Sequence, residues 1–490
     1  MAAGEQYFRL AIQFAAIASV SRLLTPTEIG ISVIGTGIVA IALGLREFAT
    51  SDFLIQRHQV TQEDIRASFT VVFLLTVFIA AGMFVLAPWF GSFYGEEKLA
   101  LFLKVAAAAG LVEAISLPIR GLLRRDMAFG ALAFINTAAA AATAATTILL
   151  ALAGFSFMSF AWALVAAAGV TTILSFYCRP DLSILRPSFT SWRSVVSFGG
   201  YNGVSFVINQ AYEALPQLVL GRILPYSAVG LYNRAQAVSA IPNQVILASV
   251  FSVAFPALAA EVRQGRDLKE PYLRALALIT VFYWPAQVLL ALLAYPVVSL
   301  ILGAQWLGAV PLLQIMAAAG LAWFPVMLTS PVLLAVGANR DRVLADLVGR
   351  SVSAVVLCSA AWFGIMAMAA SKLVTLPFQM MLSLWFVRRH VPFRWREVWV
   401  LGLWKSAIVT IGAAAGPAGV VALSDTGFDL SIAATAFAVS LAACGWLASV
   451  AVTRHPVMFE LRKALEAIVE TSTVRRLREH VIPAGPRAVR

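Results

Sequence analysis

Residues 67–90 read ASFTVVFLLTVFIAAGMFVLAPWF, a stretch without a single charge. A helix that crosses the hydrocarbon core of a bilayer needs about 20 predominantly apolar residues, because lipid offers no partner to an open backbone. This run meets the requirement by itself. Comparable runs fall at 5–24, 29–49, 99–117, 129–153, 156–177, 198–220, 227–252, 273–302, 308–336, 345–364, 366–387, 402–424 and 430–452. Together they predict an all-α polytopic membrane protein of fourteen spans. Composition agrees: of 490 residues, 61% are hydrophobic and 12% charged, against roughly 45–50% and about 25% in soluble domains. Soluble enzymes and nucleic-acid binders are thereby excluded. The three cysteines (Cys178, Cys358 and Cys444) form no spaced pattern, so neither a disulfide framework nor a metal site is expected. The N-terminal MAAGEQYFRLAIQFAAIASVSRLL lacks a basic leader and a small-residue cleavage site, and is expected to be kept as the first span.

The net charge of +12 concerns sidedness rather than nucleic acid, because Lys and Arg collect in cytoplasmic connections. Arg46, Arg57 and Arg66 follow the second span, Arg120, Arg124 and Arg125 the fourth, and Arg179, Arg186 and Arg193 the sixth. The same bias holds at every second connection down to the basic tail, while the opposite connections carry only Arg22, Lys98 and Arg222. Dropping one helix would invert the pattern beyond it. Both termini are therefore expected in the cytoplasm.

Internal repetition organises the spans. RLLTPTEIGI at 22–31 aligns without a gap on RILPYSAVGL at 222–231, matching Arg22 with Arg222, Leu24 with Leu224 and Gly30 with Gly230. AAAGL at 107–111 recurs at 317–321 in the same order. Two parallel-repeat lobes of six helices follow, 1–177 and 198–390, with substrate expected between them. A cytoplasmic linker, 178–197, joins them. Two additional spans occupy 391–452, and a basic tail 453–490 closes the chain. In the tail, Phe459, Leu461, Leu465, Ile468 and Val469 recur at helical spacing among charges. That pattern fits an interfacial helix on anionic lipid or a helix packed on the protein's own cytoplasmic loops.

No GxxxxGK[ST] is present, so the chain holds no ATPase domain, and the four histidines fall in predicted loops or the tail. No cofactor is expected. Charge inside the membrane is the informative signal, since an ionised side chain at the centre of a span costs about 2.5–3.5 kcal/mol on insertion scales and is usually paired or faces a cavity. Arg234 lies seven residues into its span. Arg22 closes the first span on the side where positive charge is otherwise avoided, and Arg46-Glu47 closes the second. Either pair could snorkel to water or face a cavity. The seventh span carries Asn202, Ser205, Asn209, Glu213 and Gln217 at steps of three or four, a polar stripe unsuited to lipid. The eighth continues with Asn233, Gln236, Asn243 and Gln244. Lys104, Glu113 and Lys372 are further embedded charges, read either as a structural Lys–Glu pair or as coupling groups. Arg22, Arg222, Arg234 and Arg46 together would form a cationic cavity suited to phosphate, which arginine grips bidentately. TAAAAATAATT at 137–147 reads as tight helix packing.

With SRLLTPTEIGI, LREFATSDFLIQ and LVLGRILPYSAVGLYNRAQA at 218–237 in view, the chain resembles polysaccharide flippases of the multidrug/oligosaccharidyl-lipid/polysaccharide exporter superfamily. The resemblance implies a multi-pass protein of the bacterial inner membrane that moves an undecaprenyl-diphosphate-linked oligosaccharide to the outer leaflet, for exopolysaccharide, O-antigen or lipopolysaccharide, or capsule synthesis. It also implies membrane lipids and the polymerase and export machinery as neighbours. Arg22 and Arg46 are similar in position to cavity arginines of the related lipid II flippase, and Arg234 lies in a helix that supplies another. Where relatives often carry an aspartate, this chain has Pro216, with Glu213 one turn earlier. A drug/cation antiporter of the same superfamily is the nearest alternative, disfavoured by the cationic balance of the embedded charges. An integral-membrane polysaccharide polymerase is the alternative from another class, disfavoured by short outer loops.

Overall fold

The computed structural model describes residues 2–44, 46, 60–190, 192, 210, 212–246, 261–262, 264, 266–425 and 427–459. Glu47, Asn202 and Asn209 lie outside the described residues, as does the tail beyond 459. No strand occurs among the described residues.

Eleven described helices are long and apolar enough to cross a membrane. The first helix, α1 (Ala2–Leu23), falls outside that group, and the predicted seventh and eighth spans lie partly outside the described residues. Four helices follow α1: α2 (Pro26–Gly44), α3 (Gln62–Tyr94), α4 (Lys98–Arg125) and α5 (Phe129–Leu152). Local sequence fixes their ends. Thr25, Pro26 and Glu28 make a capping box: the Glu28 amide donates to Thr25 Oγ1 at 3.3 Å and the Thr25 amide to Glu28 Oε2 at 2.8 Å, with proline at the first helical position. Thr61 and Asp64 repeat the device ahead of α3, which stops at Gly95 with φ of 75°.

The chain gathers into two compact units: Met1–Ala248 with Ala294–Gly320 and Val343–Gln379, and Ser249–Leu293 with Leu321–Arg342 and Met380–Arg490. The first unit holds α1 to α5, α6 (Met158–Cys178), a helix over 212–223 (α7) and α8 (Tyr226–Ser239). Its apolar core joins Ile65, Phe69 and Val72 of α3 to Ile119 and Leu122 of α4 and Ile135 of α5. Within it α2 packs along α8. The two glycines matched by the repeat meet there: a Cβ on Gly30 would collide with the Tyr226 carbonyl and stand 3.2 Å from the Gly230 amide, and a Cβ on Gly230 would collide with the Pro26 carbonyl. The crossing is built from backbone against backbone, which only glycine permits.

The second unit places Lys269–Leu292 against the helix Trp404–Leu423, which packs on Ile432–Thr453 through Gly412 and Gly445. Trp446 Nε1 donates to the Val281 carbonyl at 2.9 Å, and Lys269 pairs with Glu397 at 2.7 Å. His455, just beyond the last described helix, is 2% exposed.

Candidate functional site

Arg46, two residues past the end of α2, meets Glu113 of α4 inside the first unit. Arg46, 5% exposed, donates through Nη1 to the Gly110 carbonyl at 2.9 Å and through Nη2 to the Glu113 carboxylate. Arg120, two turns along α4 from Glu113 and on the same side of the helix, approaches that carboxylate at 3.5 Å. Its Nε is buried without a hydrogen-bond partner. Glu113 and Arg120 line a cavity of about 280 Å³, together with Arg9, Asn136 and Thr171. Two guanidinium groups, of Arg46 and Arg120, thus hold one carboxylate, and with Arg9 on the same cavity the balance is cationic.

A second cavity of about 350 Å³ is lined by Arg9, Gln13 and Ile17 of α1, Ala140 and Ala144 of α5, and Arg234 of α8. Arg234 is 7% exposed and its Nε has no hydrogen-bond partner. The guanidinium lies over the Trp306 ring at 5.9 Å from the centroid. Trp306 is itself fully buried, held by its Nε1 donating to the Ser21 carbonyl at 2.6 Å, while Gln305 Nε2 donates to the carbonyls of Ser21 and Leu24 at 2.6 and 3.0 Å. The free carbonyls at the end of α1 therefore fix the indole on which Arg234 rests.

Other sequence candidates fall elsewhere. Arg22 is exposed at the end of α1 and donates to the Leu300 carbonyl, and Arg222 is exposed with its guanidinium 5.1 Å from the Phe93 ring centroid. Neither lines the two cavities. Glu113 is held by Arg46 and Arg120, and Glu213 by Arg350 at 3.3 Å. Lys372 lies 5.3 Å from the centroid of the buried Tyr232 ring, and Lys104 and Asn233 are half-buried. Gln217 is buried.

Sequence reasoning placed Arg120 in a connection and assigned Arg9 no role at the site. The available signal was the four-residue step from Arg9 to Gln13 and the seven-residue step from Glu113 to Arg120, each keeping one helix face. The alanine-rich stretch of α5 also differs from expectation. Rather than only packing tightly, its Asn136, Ala139, Ala140, Thr143 and Ala144 line the cavities. Small side chains leave the room.

A bundle of membrane-competent helices enclosing an arginine-rich cavity defines a multi-pass membrane protein of transporter-like build. The chain belongs to the family described as polysaccharide biosynthesis protein, whose profile matches residues 19–311. It is 25% identical over 309 residues to the lipopolysaccharide biosynthesis protein WzxC of Escherichia coli, covering 61% of this chain and 62% of that one. It is 27% identical over 321 residues to the succinoglycan biosynthesis transport protein ExoT of Rhizobium meliloti, covering 62% of each. The matches thus span under two thirds of these relatives' length. In fold, the lipid II flippase MurJ in an inward closed conformation superposes with a TM-score of 0.72 at 12% identity, over 92% of this chain and 99% of that one. An inward-facing multidrug MATE transporter gives 0.63 at 15% identity, over 79% and 98%.

Proposed function

We propose that the protein flips undecaprenyl-diphosphate-linked oligosaccharide repeat units across the bacterial inner membrane, for exopolysaccharide, O-antigen or capsule synthesis. The observation that carries this reading is Arg234, a guanidinium 7% exposed that lines a cavity with Nε unpartnered. A charge held at that cost in a membrane span is a site for an anion. Arg9, Arg46 and Arg120 add positive charge around the neighbouring cavity. The names of the relatives support the substrate class: WzxC serves lipopolysaccharide biosynthesis, ExoT succinoglycan transport, and MurJ is a lipid II flippase.

The protein has fourteen spans with both ends cytoplasmic, in two six-helix lobes, 1–177 and 198–390, and two further helices. It works by alternating access. The diphosphate and sugars enter the arginine-lined cavity while the polyprenyl tail stays in lipid. The α2–α8 crossing at Gly30 and Gly230 closes the outer end, and its parting releases the headgroup outward. No covalent step is required, so the protein is a transporter rather than an enzyme. Carrying negative charge outward against an inside-negative potential is favoured by about 2.3 kcal/mol per charge per 100 mV. The MATE likeness raises drug/cation antiport as a second reading; it is disfavoured because Glu113, the carboxylate in the cavity, is already neutralised by Arg46 and Arg120.

The test is cellular. Deleting the protein should accumulate lipid-linked repeat units on the cytoplasmic leaflet, and the wild-type chain but not Arg234→Ala should clear them. Normal export in the deletion strain, or clearance by the alanine variant, would refute the reading.

A further inference from the structure

Two clasps related by the internal repeat hold the end of the bundle that the proposed topology places outside. The end of α1 is held by the segment 300–306. Arg22 donates to the Leu300 carbonyl, Gln305 Nε2 to the Ser21 and Leu24 carbonyls at 2.6 and 3.0 Å, and Trp306 Nε1 to the Ser21 carbonyl at 2.6 Å. The end of α7 and the start of α8 are held by the end of α3. There the Arg222 guanidinium lies 5.1 Å from the Phe93 ring centroid, and Tyr226 Oη donates to the Tyr94 carbonyl. Arg22 and Arg222 are repeat matches, so each clasp secures the same arginine of its own half. One difference separates them. Arg234 rests on the indole of the first clasp, whereas its repeat match, Ile34, is an isoleucine 1% exposed that stands against Gly221.

A cation over an indole face draws π density from the ring and makes its N–H a stronger donor. Arg234 thereby tightens the bond from Trp306 to Ser21. Among the described residues no carboxylate pairs with Arg234, and its Nε has no hydrogen-bond partner. A diphosphate would offer it charge-assisted, bidentate hydrogen bonds, a stronger partner than a ring face. Arg234 and Val20, the neighbour of Ser21, line one cavity, so an anion there competes with Trp306 for a single guanidinium. We infer that Trp306 is the positioning residue through which anion binding unlocks the outer end. When Arg234 turns from the indole to the diphosphate, the ties from Trp306 and Gln305 to Ser21 and Leu24 weaken and the α1 clasp parts. The second clasp, with Ile34 in the matching place, has no such sensor. This inference rests on the translocation reading and deepens it: the empty protein stays shut on the outside, and the loaded one opens there.

Full-length protein in lipid nanodiscs, titrated calorimetrically with inorganic pyrophosphate, tests the coupling. Gln305→Met removes two ties of the clasp and touches neither Arg234 nor Trp306. Coupling between two equilibria is reciprocal, so a loosened clasp should tighten pyrophosphate binding, by about fivefold or more. A merely structural Gln305 would leave that affinity unchanged or lower it. Distance measurement gives a second answer. With the three native cysteines replaced by serine, spin labels are placed at Leu152→Cys and Phe363→Cys, both exposed. Pyrophosphate should lengthen the label distance in this otherwise intact protein. Adding Trp306→Phe, which keeps a ring for the guanidinium and loses the N–H, should give the longer distance before any anion is added. An affinity not tightened by Gln305→Met, a label distance indifferent to saturating pyrophosphate, or a Trp306→Phe distance as short as that of the unliganded parent overturns the interlock. Flipping of lipid-linked oligosaccharide by the same preparation separates the two claims. A wild type that flips without these responses refutes the interlock alone, and one that neither binds pyrophosphate nor flips refutes translocation.

Discussion

Gly30 of α2 and Gly230 of α8, matched by the internal repeat, occupy one helix crossing, each so near the other helix that a Cβ would strike a backbone carbonyl, of Tyr226 or Pro26 respectively. The neighbouring pair repeats the symmetry, since Pro26 and Tyr226 are also separated by the repeat offset. The contact is reciprocal, as in a two-fold interface where residue i touches j and j touches i.

Alanine at either glycine should therefore act as overpacking against backbone, which cannot swing aside. Gly30→Ala and Gly230→Ala are each expected to cost about 2 kcal/mol or more and to lower the midpoint of thermal unfolding in detergent. Gly82→Ala, where an added Cβ meets nothing within 4 Å, should be neutral or slightly stabilising. Equal behaviour of all three would remove the close crossing.

Arg234 should show the opposite balance of stability and function. Its charge is buried and its Nε unpartnered, so Arg234→Leu removes a desolvation cost and should leave unfolding unchanged or raise its midpoint, while transport falls to background. A strongly destabilised but still active variant would contradict this.

The Arg46–Glu113 pair should be non-additive. Arg46→Gln leaves the Glu113 carboxylate with Arg120 alone and is expected to cost about 2 kcal/mol, less than a fully buried pair because the Glu113 side chain is 32% exposed. The Arg46→Gln, Glu113→Gln double variant should be more stable than the single Arg46→Gln. A double variant whose loss is the sum of the singles would show that the two residues act apart.

Acid should destabilise the second unit through His455. Its Nδ1 accepts from the Val457 amide at 3.2 Å, its Nε2 meets Ser406 Oγ at 3.1 Å, and burial, helped by the nearby Lys405 charge, lowers its pKa to about 4. The unfolded chain binds the proton near the usual imidazole value, so the neutral folded form is favoured in full above about pH 6.5, and that stability is lost as pH falls toward about 4. The unfolding midpoint should drop between pH 7 and pH 5, and the drop should shrink in His455→Gln.

Eleven of the spans were legible because bilayer thickness sets a length that apolar runs must meet, and the match of Gly30 with Gly230 pointed to two glycines that meet at one crossing. The site was less so. Helices continue past their apolar windows: α4 runs to Arg125, where the apolar run ends at 117. Arg120 is thereby carried onto a cavity-lining face instead of into a loop. Arg46 and Glu113 are 67 positions apart, and no local period connects them. Arg9 lies inside the first apolar run, yet its local sequence does not say that its helix face borders a cavity. Alanines read as packing because sequence does not distinguish a small residue that lets helices touch from one that keeps them apart.

Flipping of a fluorescent undecaprenyl-diphosphate oligosaccharide in proteoliposomes, comparing wild type with Arg234→Ala and with empty liposomes, tests the central claim most directly. The account predicts rapid translocation by the wild type and a fall to near background in the variant with folding intact. Wild-type rates equal to those of empty liposomes across several glycan headgroups would contradict it.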